Sequence, residues 1–432
     1  MSETTGGLTQ GLRVGIVGGS IAGCTTAVEL FRLGCAVTLF ERTGEELKDR
    51  GAGIGVPPSA METFIKRDLV DADTPYFSGH AFTRLWRTEQ ARRYGYLAWD
   101  QPVNLALLNW GGLYRNLRKR VPEQVYRTGQ RVVALHEQLN GTVCVELTDG
   151  ARPEFDLVVC ADGYTSLGRR KLFPDVSITY AGYVLWRGLL LEQDLTESDP
   201  LETGVHCPGY PGGHGIFYFV PGLDGATAPG KRLVNWGMYV SIAELELADF
   251  LTDKDGRAHE GSLPPGGMPL ATESALKRQA RKDVPDYYAE IVGKSENTYA
   301  YAIYDCQIPA YRKGGICLVG DAGAYARPHT AAGALKGIND AVALGEALKT
   351  HSFLEEALTD WDKTRTDTNN NLVRFGNQLG RALVLEIPDW SHMDAASMEK
   401  WFSSIVTIQT EVLDPNLTKQ GRQEAKHAAG TD

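Results

Sequence analysis

A glycine-rich turn near the start of the chain places the strongest constraint on its fold. Residues 12–17, mostly apolar apart from Arg13, have the pattern of a buried parallel strand, and Gly18-Gly19-Ser20-Ile21-Ala22-Gly23 follows it. The apolar spacing downstream then predicts a helix. Gly18 permits the tight turn, the helix N-terminus offers free N–H groups to a pyrophosphate, and Gly23 lets helix and strand pack closely. Ser20 replaces the middle glycine of the usual pattern, and its hydroxyl can donate a hydrogen bond to the same group.

The second strand supports a nucleotide site. Residues 36–40 are again apolar, and Glu41 follows them. A carboxylate at this spacing from the turn is placed to accept hydrogen bonds from a ribose diol. We assign Glu41, the neighbouring Arg42 and Arg50 to the cofactor site. Arg50 opens a glycine-rich stretch, residues 50–55, which indicates either close approach of the backbone to the cofactor or a flexible loop.

Charge and composition exclude several other classes of protein. The net charge of −10 in 432 residues argues against a broad phosphate-binding surface, because nucleic-acid affinity depends on clustered Lys and Arg. No apolar run approaches the roughly 20 residues that span a bilayer, and the chain begins with polar residues, so we expect a cytoplasmic protein without membrane contact. Seven cysteines without a Cys-x-x-Cys pattern predict reduced thiols and no metal site. A homodimer is left open.

Two further motifs lie far along the chain. Residues 156–169 begin with an apolar strand that leads into Ala161-Asp162-Gly163. Residues 314–322 repeat this arrangement with Gly320-Asp321-Ala322. Three separated segments therefore carry the same type of signal, a strand that ends on a turn with glycine or a carboxylate.

Together and in this order, the three motifs resemble those of the single-component FAD-dependent aromatic hydroxylases, the class of para-hydroxybenzoate hydroxylase. Residues 179–188 and 327–334, with the following Lys336, resemble the dihydroxypyridine monooxygenases within that family. The Ser20 departure fits the same subgroup.

The resemblance implies roles for the two aspartates and a reaction. Asp321 would bind the ribityl chain of FAD, and Asp162 would serve both FAD and the nicotinamide cofactor. NADPH or NADH would reduce FAD, and oxygen would add to the reduced ring as a C4a-hydroperoxide that hydroxylates an electron-rich aromatic or N-heteroaromatic ring. No separate nicotinamide-binding glycine motif is evident in the sequence, which fits a reductant that docks transiently.

An amphipathic helix is predicted over residues 334–349, after breaks at Pro328 and Gly333. Its positive N-terminal end would face the flavin and favour the anionic reduced ring, so we assign Pro328, Gly333 and Ala334 to the cofactor site. His329, on the loop that enters this helix, is a candidate catalytic residue near the reacting edge. Alternatively, it is a turn histidine bonded to the backbone.

Period-two patterns at residues 215–221 and 232–239 predict strands of a sheet that covers the flavin. Aromatic residues on this sheet indicate a substrate pocket, although we expect at least half of them to be core instead. The six residues are Tyr183, Trp186, Phe217, Tyr218, Phe219 and Trp236.

Four residues are assigned candidate catalytic roles. Arg187 is expected to hold an anionic phenolate or carboxylate, or alternatively to pair with an acid on the outer face of the sheet. His206, His214 and His329 are available general bases, of which His214 and His329 are assigned to the site. Tyr218 completes the set.

The expected fold class is α/β (α+β overall), with a Rossmann-like FAD-binding domain that is discontinuous in sequence, an antiparallel-sheet substrate domain and C-terminal helices. The FAD-binding domain is expected at 11–80, 105–178 and 301–350, and the substrate domain at 81–104 and 179–300. The C-terminal helices are expected at 351–412 and a frayed tail at 413–432.

Two alternative functions remain. The same machinery could epoxidise or hydroxylate an indole-like or larger natural product, or the protein could bind FAD without catalysis. The combination of Glu41, Asp162 and Asp321 argues against a non-catalytic scaffold, because a scaffold has no need of a ribityl contact far from the pyrophosphate. A flavin-dependent halogenase is disfavoured, since the Trp-x-Trp-x-Ile-Pro motif is absent from the sequence.

Overall fold

The computed structural model describes residues 7–44 and 53–406. Within these ranges, strands form three sheets. In chain order the strands are β1 (Arg13–Val17), β2 (Ala36–Phe40), β3 (Gly53–Val56), β4 (Phe77–Trp86), β5 (Tyr96–Asn109), β6 (Tyr126–Arg127), β7 (Val132–Glu137), β8 (Val143–Leu147), β9 (Glu154–Phe155), β10 (Leu157–Cys160), β11 (Thr179–Leu191), β12 (Gly204–Tyr210), β13 (Gly213–Val220), β14 (Leu233–Ser241), β15 (Ser262–Leu263), β16 (Tyr299–Asp305), β17 (Arg312–Lys313) and β18 (Ile316–Leu318).

Helices cover both main sheets. In chain order they are α1 (Ile21–Arg32), α2 (Pro58–Lys66), α3 (Trp110–Arg118), α4 (Leu167–Leu172), α5 (Glu244–Phe250), α6 (Leu270–Asp283), α7 (Asp286–Lys294), α8 (Gly333–Thr350), α9 (Leu354–Gly380) and α10 (Ala395–Val406). A π-helical segment, Arg381–Leu385, follows α9 directly. Among the described helices, none has the length and apolar character needed to cross a membrane.

The first sheet is the predicted Rossmann-like unit. Its strand order is β17-β18-β10-β1-β2-β6, and β18, β10, β1, β2 and β6 run parallel. The central strands are apolar without alternation because both faces of this sheet are covered. Val14, Ile16 and Leu157, for example, are fully buried in one hydrophobic core with residues of α1 and α8. The three-stranded sheet β7-β8-β9 lies behind it, and the Phe155 ring packs directly on Gly15.

The second sheet has nine strands in the order β15-β16-β11-β14-β13-β12-β4-β5-β3. Its neighbouring strands pair antiparallel except for β12 with β4, which run parallel. The predicted strands at 215–221 and 232–239 are confirmed as β13 and β14, and the antiparallel substrate sheet is confirmed with them.

The second sheet extends beyond the residue ranges expected for the substrate domain. Strand β3 and parts of β4, β5 and β16 fall within ranges expected for the FAD-binding domain, yet they pair within the nine-stranded sheet. Strands β4 and β5 continue across these limits, so a boundary drawn at residue 80 or 105 cuts through strands. The division into domains itself stays a prediction. Helices α9 and α10 lie in the range expected for the C-terminal helices, and residues 413–432 lie outside the described part of the chain.

A buried carboxylate fixes the third motif to the two longest helices. Asp340 on α8 has a fully buried side chain, and its Oδ2 accepts a hydrogen bond from the backbone N–H of Gly320 at 2.9 Å. Its Oδ1 accepts from Arg365 Nε and Asn369 Nδ2 of α9, both at 2.8 Å. This single carboxylate therefore positions the turn that carries Asp321.

We expect Asp340→Ala to lower the free energy of unfolding by about 3–5 kcal/mol, because it leaves the buried guanidinium of Arg365 without its carboxylate. Asp360→Ala is the matched control, since the Asp360 side chain is 71% exposed and pairs with His351 at the surface. That change should cost less than about 1 kcal/mol. Urea unfolding of both variants measures the two losses in the free energy of unfolding. Equal losses would show that the buried contacts of Asp340 stabilise the protein no more than a surface ion pair does.

Candidate active site

The parallel strand order of the first sheet brings distant motifs to one edge. Strands β18, β10, β1 and β2 are neighbours, so their carboxyl ends lie side by side. The Gly320–Ala322 turn, the turn with Asp162, the glycine turn and Glu41 follow these four strands in that spatial order. The sequence therefore predicted correctly that the three motifs contribute to one place.

The glycine turn needs glycine at two positions for physical reasons. Gly18 has a φ of +100°, and a Cβ there would lie 2.5 Å from the carbonyl oxygen of Ala161. A Cβ on Gly23 would collide with the carbonyl oxygen of Gly18, which shows how closely α1 approaches the turn. Ser20 directly precedes α1 but makes no side-chain capping bond, so its hydroxyl is not used by the helix.

Glu41 lies beside the glycine turn and also accepts a hydrogen bond from it. Its side chain is buried, with Oε2 accepting from the N–H of Gly19 and Oε1 from the N–H of Thr43, each at 2.8 Å. Each carboxylate oxygen retains further acceptor capacity, so the expected ribose contact stays a prediction. Arg42 is exposed beside it, and Arg50 lies outside the described residues.

Asp162 is held in place through one oxygen only. Its Oδ2 accepts from the N–H of Leu167 at 2.6 Å, whereas the buried Oδ1 has no hydrogen-bond partner among the described residues. Burial raises the pKa of Asp162, although hydrogen bonds at the start of α4 act in the opposite direction. Arg169 then links this turn to the third motif, since its Nη1 donates to the carbonyl oxygens of Asp321 and Ala322 at 3.0 and 3.1 Å.

A buried lysine faces the third motif. The Lys336 side chain is 1% exposed, and its Nζ lies 3.5 Å from Oδ1 of Asp321 without a hydrogen-bond partner among the described residues. Burial raises the pKa of Asp321, and the charge of Lys336 opposes that shift. Helix α8 begins close by at Gly333, next to Ala334, with no side-chain cap on its free N–H groups. Lys336 is among the residues that carry the family resemblance, but the sequence did not predict it as a cofactor-site residue.

Arg187 and Tyr218 lie together on one face of the second sheet. Arg187 Nη2 donates to Oδ1 of Asn235 at 2.9 Å and Nη1 donates to the Tyr301 hydroxyl at 3.3 Å, while its buried Nε has no acceptor among the described residues. Among the described residues no acid forms an ion pair with Arg187, and its expected contact with an anionic substrate stays a prediction. Burial raises the pKa of Tyr218 to about 12, with Arg187 opposing the shift. Asn235 carries no motif that the sequence could have revealed.

The glycine-rich stretch at residues 50–55 is described only from Gly53 onward. Gly53–Val56 form strand β3, so the flexible-loop interpretation is wrong for these residues. The N–H of Gly53 donates to Oδ1 of Asn235 at 2.9 Å, and a Cβ on Gly53 would lie 2.5 Å from the Tyr218 ring. The glycine is thus needed for close approach to the Arg187 cluster, whereas Gly51 and Ala52 lie outside the described residues.

His329 and His214 form one hydrogen-bonded chain with Tyr183. His329 Nε2 lies 3.0 Å from the Tyr183 hydroxyl and His329 Nδ1 lies 3.4 Å from His214 Nε2. His214 Nδ1 lies 3.0 Å from the carbonyl oxygen of Gly215, which can only accept. The partners therefore fix the tautomers: His214 donates from Nδ1, His329 donates from Nδ1 to His214, and Tyr183 donates to His329 Nε2. The partners of His329 are side chains, so the alternative of a backbone-bonded turn histidine is wrong.

The hydrogen-bonded chain of His214, His329 and Tyr183 continues to the ion pair of Arg327 with Asp305. Arg327 Nη1 donates to the Tyr183 hydroxyl at 3.3 Å, and its Nε donates to Asp305 at 2.8 Å. Burial lowers the pKa of His214 to about 3 and that of His329 well below its usual value. Both imidazoles are therefore neutral at physiological pH, and each ring nitrogen already has a partner. Tyr183 and His214 can therefore exchange a proton with His329.

The aromatic residues of the predicted pocket divide between the two faces of the sheet. Tyr183 and Tyr218 lie on the face that carries Arg187, as the contacts above show. The other four belong to the hydrophobic core on the opposite face, in line with the expectation that at least half are core; they are Trp186, Phe217, Phe219 and Trp236. His206 is on that opposite face too, with Nδ1 at 2.6 Å from the Tyr288 hydroxyl.

We expect the free energy of unfolding to fall as the pH is lowered through about 6.5, the usual pKa of histidine. The folded-state pKa is about 4 for His206 and about 3 for His214, so the unfolded chain binds protons that the folded chain excludes. Stability is complete above the unfolded pKa, and each histidine removes up to about 1.4 kcal/mol per pH unit below it. Urea unfolding at about pH 7.5 and about pH 5.5 measures this slope.

Two variants control this pH experiment. His206→Gln removes one buried histidine away from the candidate site and should flatten the slope. His392→Gln should leave the slope unchanged, because the His392 side chain is 84% exposed. Equal slopes in all three proteins would contradict the neutral buried state of these imidazoles.

Comparisons with known proteins agree with this architecture. Residues 180–305 match the FAD binding domain-like family. Among similar curated proteins, 2,6-dihydroxypyridine 3-monooxygenase of Paenarthrobacter nicotinovorans is 28% identical over 81% of this chain and 86% of that protein. The 3-amino-4-hydroxybenzoate 2-monooxygenase of Streptomyces platensis is 27% identical over 78% of this chain and 79% of that protein.

A solved structure is likewise similar over most of this chain. The 2,6-dihydroxypyridine-3-hydroxylase from Arthrobacter nicotinovorans aligns with a TM-score of 0.78 and 25% identity, covering 86% of this chain and 92% of that one. The fold expected from the sequence, an FAD-binding unit with an antiparallel sheet and C-terminal helices, is confirmed. The predicted resemblance is confirmed with it: over most of its length the chain is similar to the FAD-dependent aromatic hydroxylases, with 2,6-dihydroxypyridine 3-monooxygenase among its most similar relatives.

Proposed function

We propose that this protein is an FAD-dependent monooxygenase that uses NADPH or NADH and O2 to hydroxylate an electron-rich aromatic or N-heteroaromatic ring. The observation that carries the proposal is the arrangement of the two sheets. Nucleotide-binding turns meet at one edge of the parallel sheet, and the antiparallel sheet presents Arg187, Asn235 and Tyr218 on the face that contacts Gly53. The similar hydroxylases reported above support this reading.

The residues at the carboxyl edge fit FAD. Lys336 Nζ and Asp162 Oδ1 are buried polar atoms without hydrogen-bond partners among the described residues, as expected where a polar ligand completes the set. A Cβ on Gly163 or Gly333 would meet no protein atom within 4 Å, so space is open between the second motif and the start of α8.

Each predicted cofactor residue takes a specific role in this proposal. The N–H groups of the glycine turn and the Ser20 hydroxyl would hold the pyrophosphate, and Glu41 and Arg42 would hold the adenosine side. Asp321 would hold the ribityl chain, and Pro328 with the start of α8 at Gly333 and Ala334 would border the ring. Bound FAD, once reduced by the nicotinamide cofactor, would supply the activation of O2.

The protein's own residues would hold and polarise the aromatic substrate. Arg187 is a permanent, buried cation whose Nε and neighbouring Asn235 Nδ2 lack acceptors among the described residues, so it can stabilise negative charge on a ring oxygen. An ionised hydroxyl makes the ring more electron-rich and hence more easily oxygenated. The neutral chain of Tyr183, His329 and His214 can hold or pass a single proton beside this cation.

We expect Lys336→Met to weaken FAD binding at least about tenfold while leaving the apoprotein as stable as before or more stable. Methionine fills the same volume, and replacing a buried, incompletely paired charge by an apolar group is often neutral or stabilising. FAD titration followed by fluorescence and urea unfolding of the apoprotein separate the two effects. Unchanged FAD affinity would exclude Lys336 from the cofactor site. Lys349→Met, in the last turn of α8, is the control.

We expect hydroxypyridines or phenols to stimulate NADPH or NADH consumption by the FAD-loaded protein and to yield a product heavier by one oxygen atom. Arg187→Met should raise the KM of that substrate about ten- to hundredfold with FAD content unchanged, because it removes hydrogen bonds to a charged group. Arg152→Met is the matched control, since the Arg152 side chain is 62% exposed on the connection between β8 and β9.

The other outcomes of this assay would each support a different interpretation of the protein or of the ring that was tested. Stimulation only by indoles or larger rings would favour the natural-product epoxidase or hydroxylase. Reductant consumption that yields only hydrogen peroxide would mean that the ring is an effector and not the substrate. No stimulation by any ring, with FAD bound, would favour a non-catalytic FAD-binding protein.

A further inference from the structure

Both backbone polar groups of Gly19, in the glycine turn, are held by side chains of the protein. Its N–H donates to Glu41 at 2.8 Å. Its carbonyl oxygen accepts from the Tyr126 hydroxyl at 3.0 Å and from the Cys24 thiol at 3.1 Å. Tyr126 lies on the two-residue edge strand β6, and Cys24 lies on α1. A thiol is a weak donor, so the hydroxyl of Tyr126 supplies most of the restraint on this carbonyl.

The approach of Tyr126 explains a glycine that the nucleotide-binding pattern does not require. The three glycines of that pattern correspond to Gly18, Ser20 and Gly23, so position 19 is free to carry other residues. A Cβ on Gly19 would collide with the Tyr126 hydroxyl and would lie 2.6 Å from Cζ of that ring. Glycine at position 19 therefore makes room for Tyr126.

Tyr126 is fixed in place as a hydrogen-bond donor. The residue is 7% exposed, and Cζ of Arg118, which pairs with Glu123, lies 4.1 Å from the centre of its ring. Burial raises the pKa of Tyr126, so the hydroxyl keeps its proton at physiological pH. The Tyr114 hydroxyl lies 3.4 Å away and can donate to the Tyr126 oxygen, which leaves the Tyr126 proton for Gly19.

The direction of the Gly19 carbonyl determines the direction of the Ser20 N–H. The two groups belong to one trans peptide, in which C=O and N–H point in opposite directions. Because the carbonyl points toward Tyr126, the Ser20 N–H points away from it, and this N–H has no acceptor in residues 7–44 and 53–406. Ser20 occupies the position at which the pattern brings the backbone close to a pyrophosphate.

A flip of the peptide between Gly19 and Ser20 would reverse the local charge that the turn presents. A carbonyl oxygen, with its partial negative charge, would then replace the N–H opposite a phosphate. Glycine lowers the steric cost of such a flip, because it has no Cβ to restrict the backbone angles. The glycine that makes room for Tyr126 thus also permits the flip, and the hydrogen bond from Tyr126 opposes it.

We propose that Tyr126 is a positioning residue for the cofactor, whose hydroxyl holds the Gly19 carbonyl so that the Ser20 N–H faces the pyrophosphate of FAD. This inference rests on the proposed function, which supplies FAD. Tyr126 acts through Gly19, which precedes it by 107 residues. The pairing of Leu39 on β2 with Tyr126 brings the hydroxyl to the turn, which gives the short strand β6 a role in cofactor binding.

The test compares two tyrosine hydroxyls that each donate to a backbone carbonyl oxygen. Tyr126→Phe removes the bond to Gly19 and keeps the ring. Tyr287→Phe is the matched control, because the Tyr287 hydroxyl on α7 donates to the carbonyl oxygen of Glu197 at 2.9 Å. FAD titration of the apoproteins, followed by flavin fluorescence, should show about tenfold weaker binding for Tyr126→Phe, as expected for one hydrogen bond to a charged group. Tyr287→Phe should stay within about twofold of the parent protein.

Two further measurements separate positioning from packing. Phosphorus NMR of the FAD-loaded proteins reports on the pyrophosphate directly, and its signals should move in Tyr126→Phe and stay in place in Tyr287→Phe. Urea unfolding of the two apoproteins should show similar losses of stability, since each loses one hydrogen bond of the same kind. Unchanged FAD affinity with unmoved phosphorus signals in Tyr126→Phe would overturn the proposal and leave Tyr126 as a packing residue. Equal weakening of FAD binding by both variants would overturn it as well.

The two proposals fail in different ways. If Tyr126→Phe binds FAD as tightly as the parent protein, and aromatic rings stimulate NADPH or NADH consumption, the positioning role is wrong and the monooxygenase proposal stands. If FAD binding depends on Tyr126 but no ring stimulates consumption, the monooxygenase proposal fails and the positioning role stands. A parent protein that binds no FAD would overturn both.

Discussion

The parallel pairing of β1 with β2 on one side and β10 on the other is the constraint on which the rest of the structure depends. Parallel strands end at the same edge of a sheet, so every turn that follows them opens in one direction. Glu41, Asp162 and Asp321 are separated by more than a hundred residues at each step of the sequence, yet they meet at that edge. A cofactor that spans nucleotide and ring can contact all three only with this strand order.

Many unpaired buried polar atoms lie at the junction of the two sheets. Asp162 Oδ1, Lys336 Nζ, Arg187 Nε and Asn235 Nδ2 all lack hydrogen-bond partners among the described residues. Each such group costs about 1–3 kcal/mol when left without a partner, which is a large share of the stability of an ordinary domain. Their concentration at one junction is explained when ligands supply the missing partners. The protein alone is therefore less stable than its loaded form.

Local sequence signals predicted the fold well and the substrate face only in part. The glycine turn, β1, β2, α1 and α8 each depend on residues close in sequence, so the apolar pattern was sufficient. Alternation in β13 and β14 predicted strands but not which alternate residues face the site, because that depends on partner strands distant in the sequence. Tyr218 and Phe217 are neighbours in the chain and lie on opposite faces for this reason. Asn235 carries no motif, and only the cross-strand register brings it to the site.

The charges of this face favour anionic ligands. Burial keeps His214 and His329 neutral, so they add no positive charge, whereas Lys336 is a buried cation and Arg187 is a cation whose buried Nε has no acceptor among the described residues. Of these, only Lys336 faces a carboxylate in the described residues, and that contact is 3.5 Å long. In a medium of low dielectric constant, this excess of positive charge is stabilised only by bound negative charge. Phosphates, a reduced flavin ring and an ionised ring hydroxyl of the substrate would each supply it.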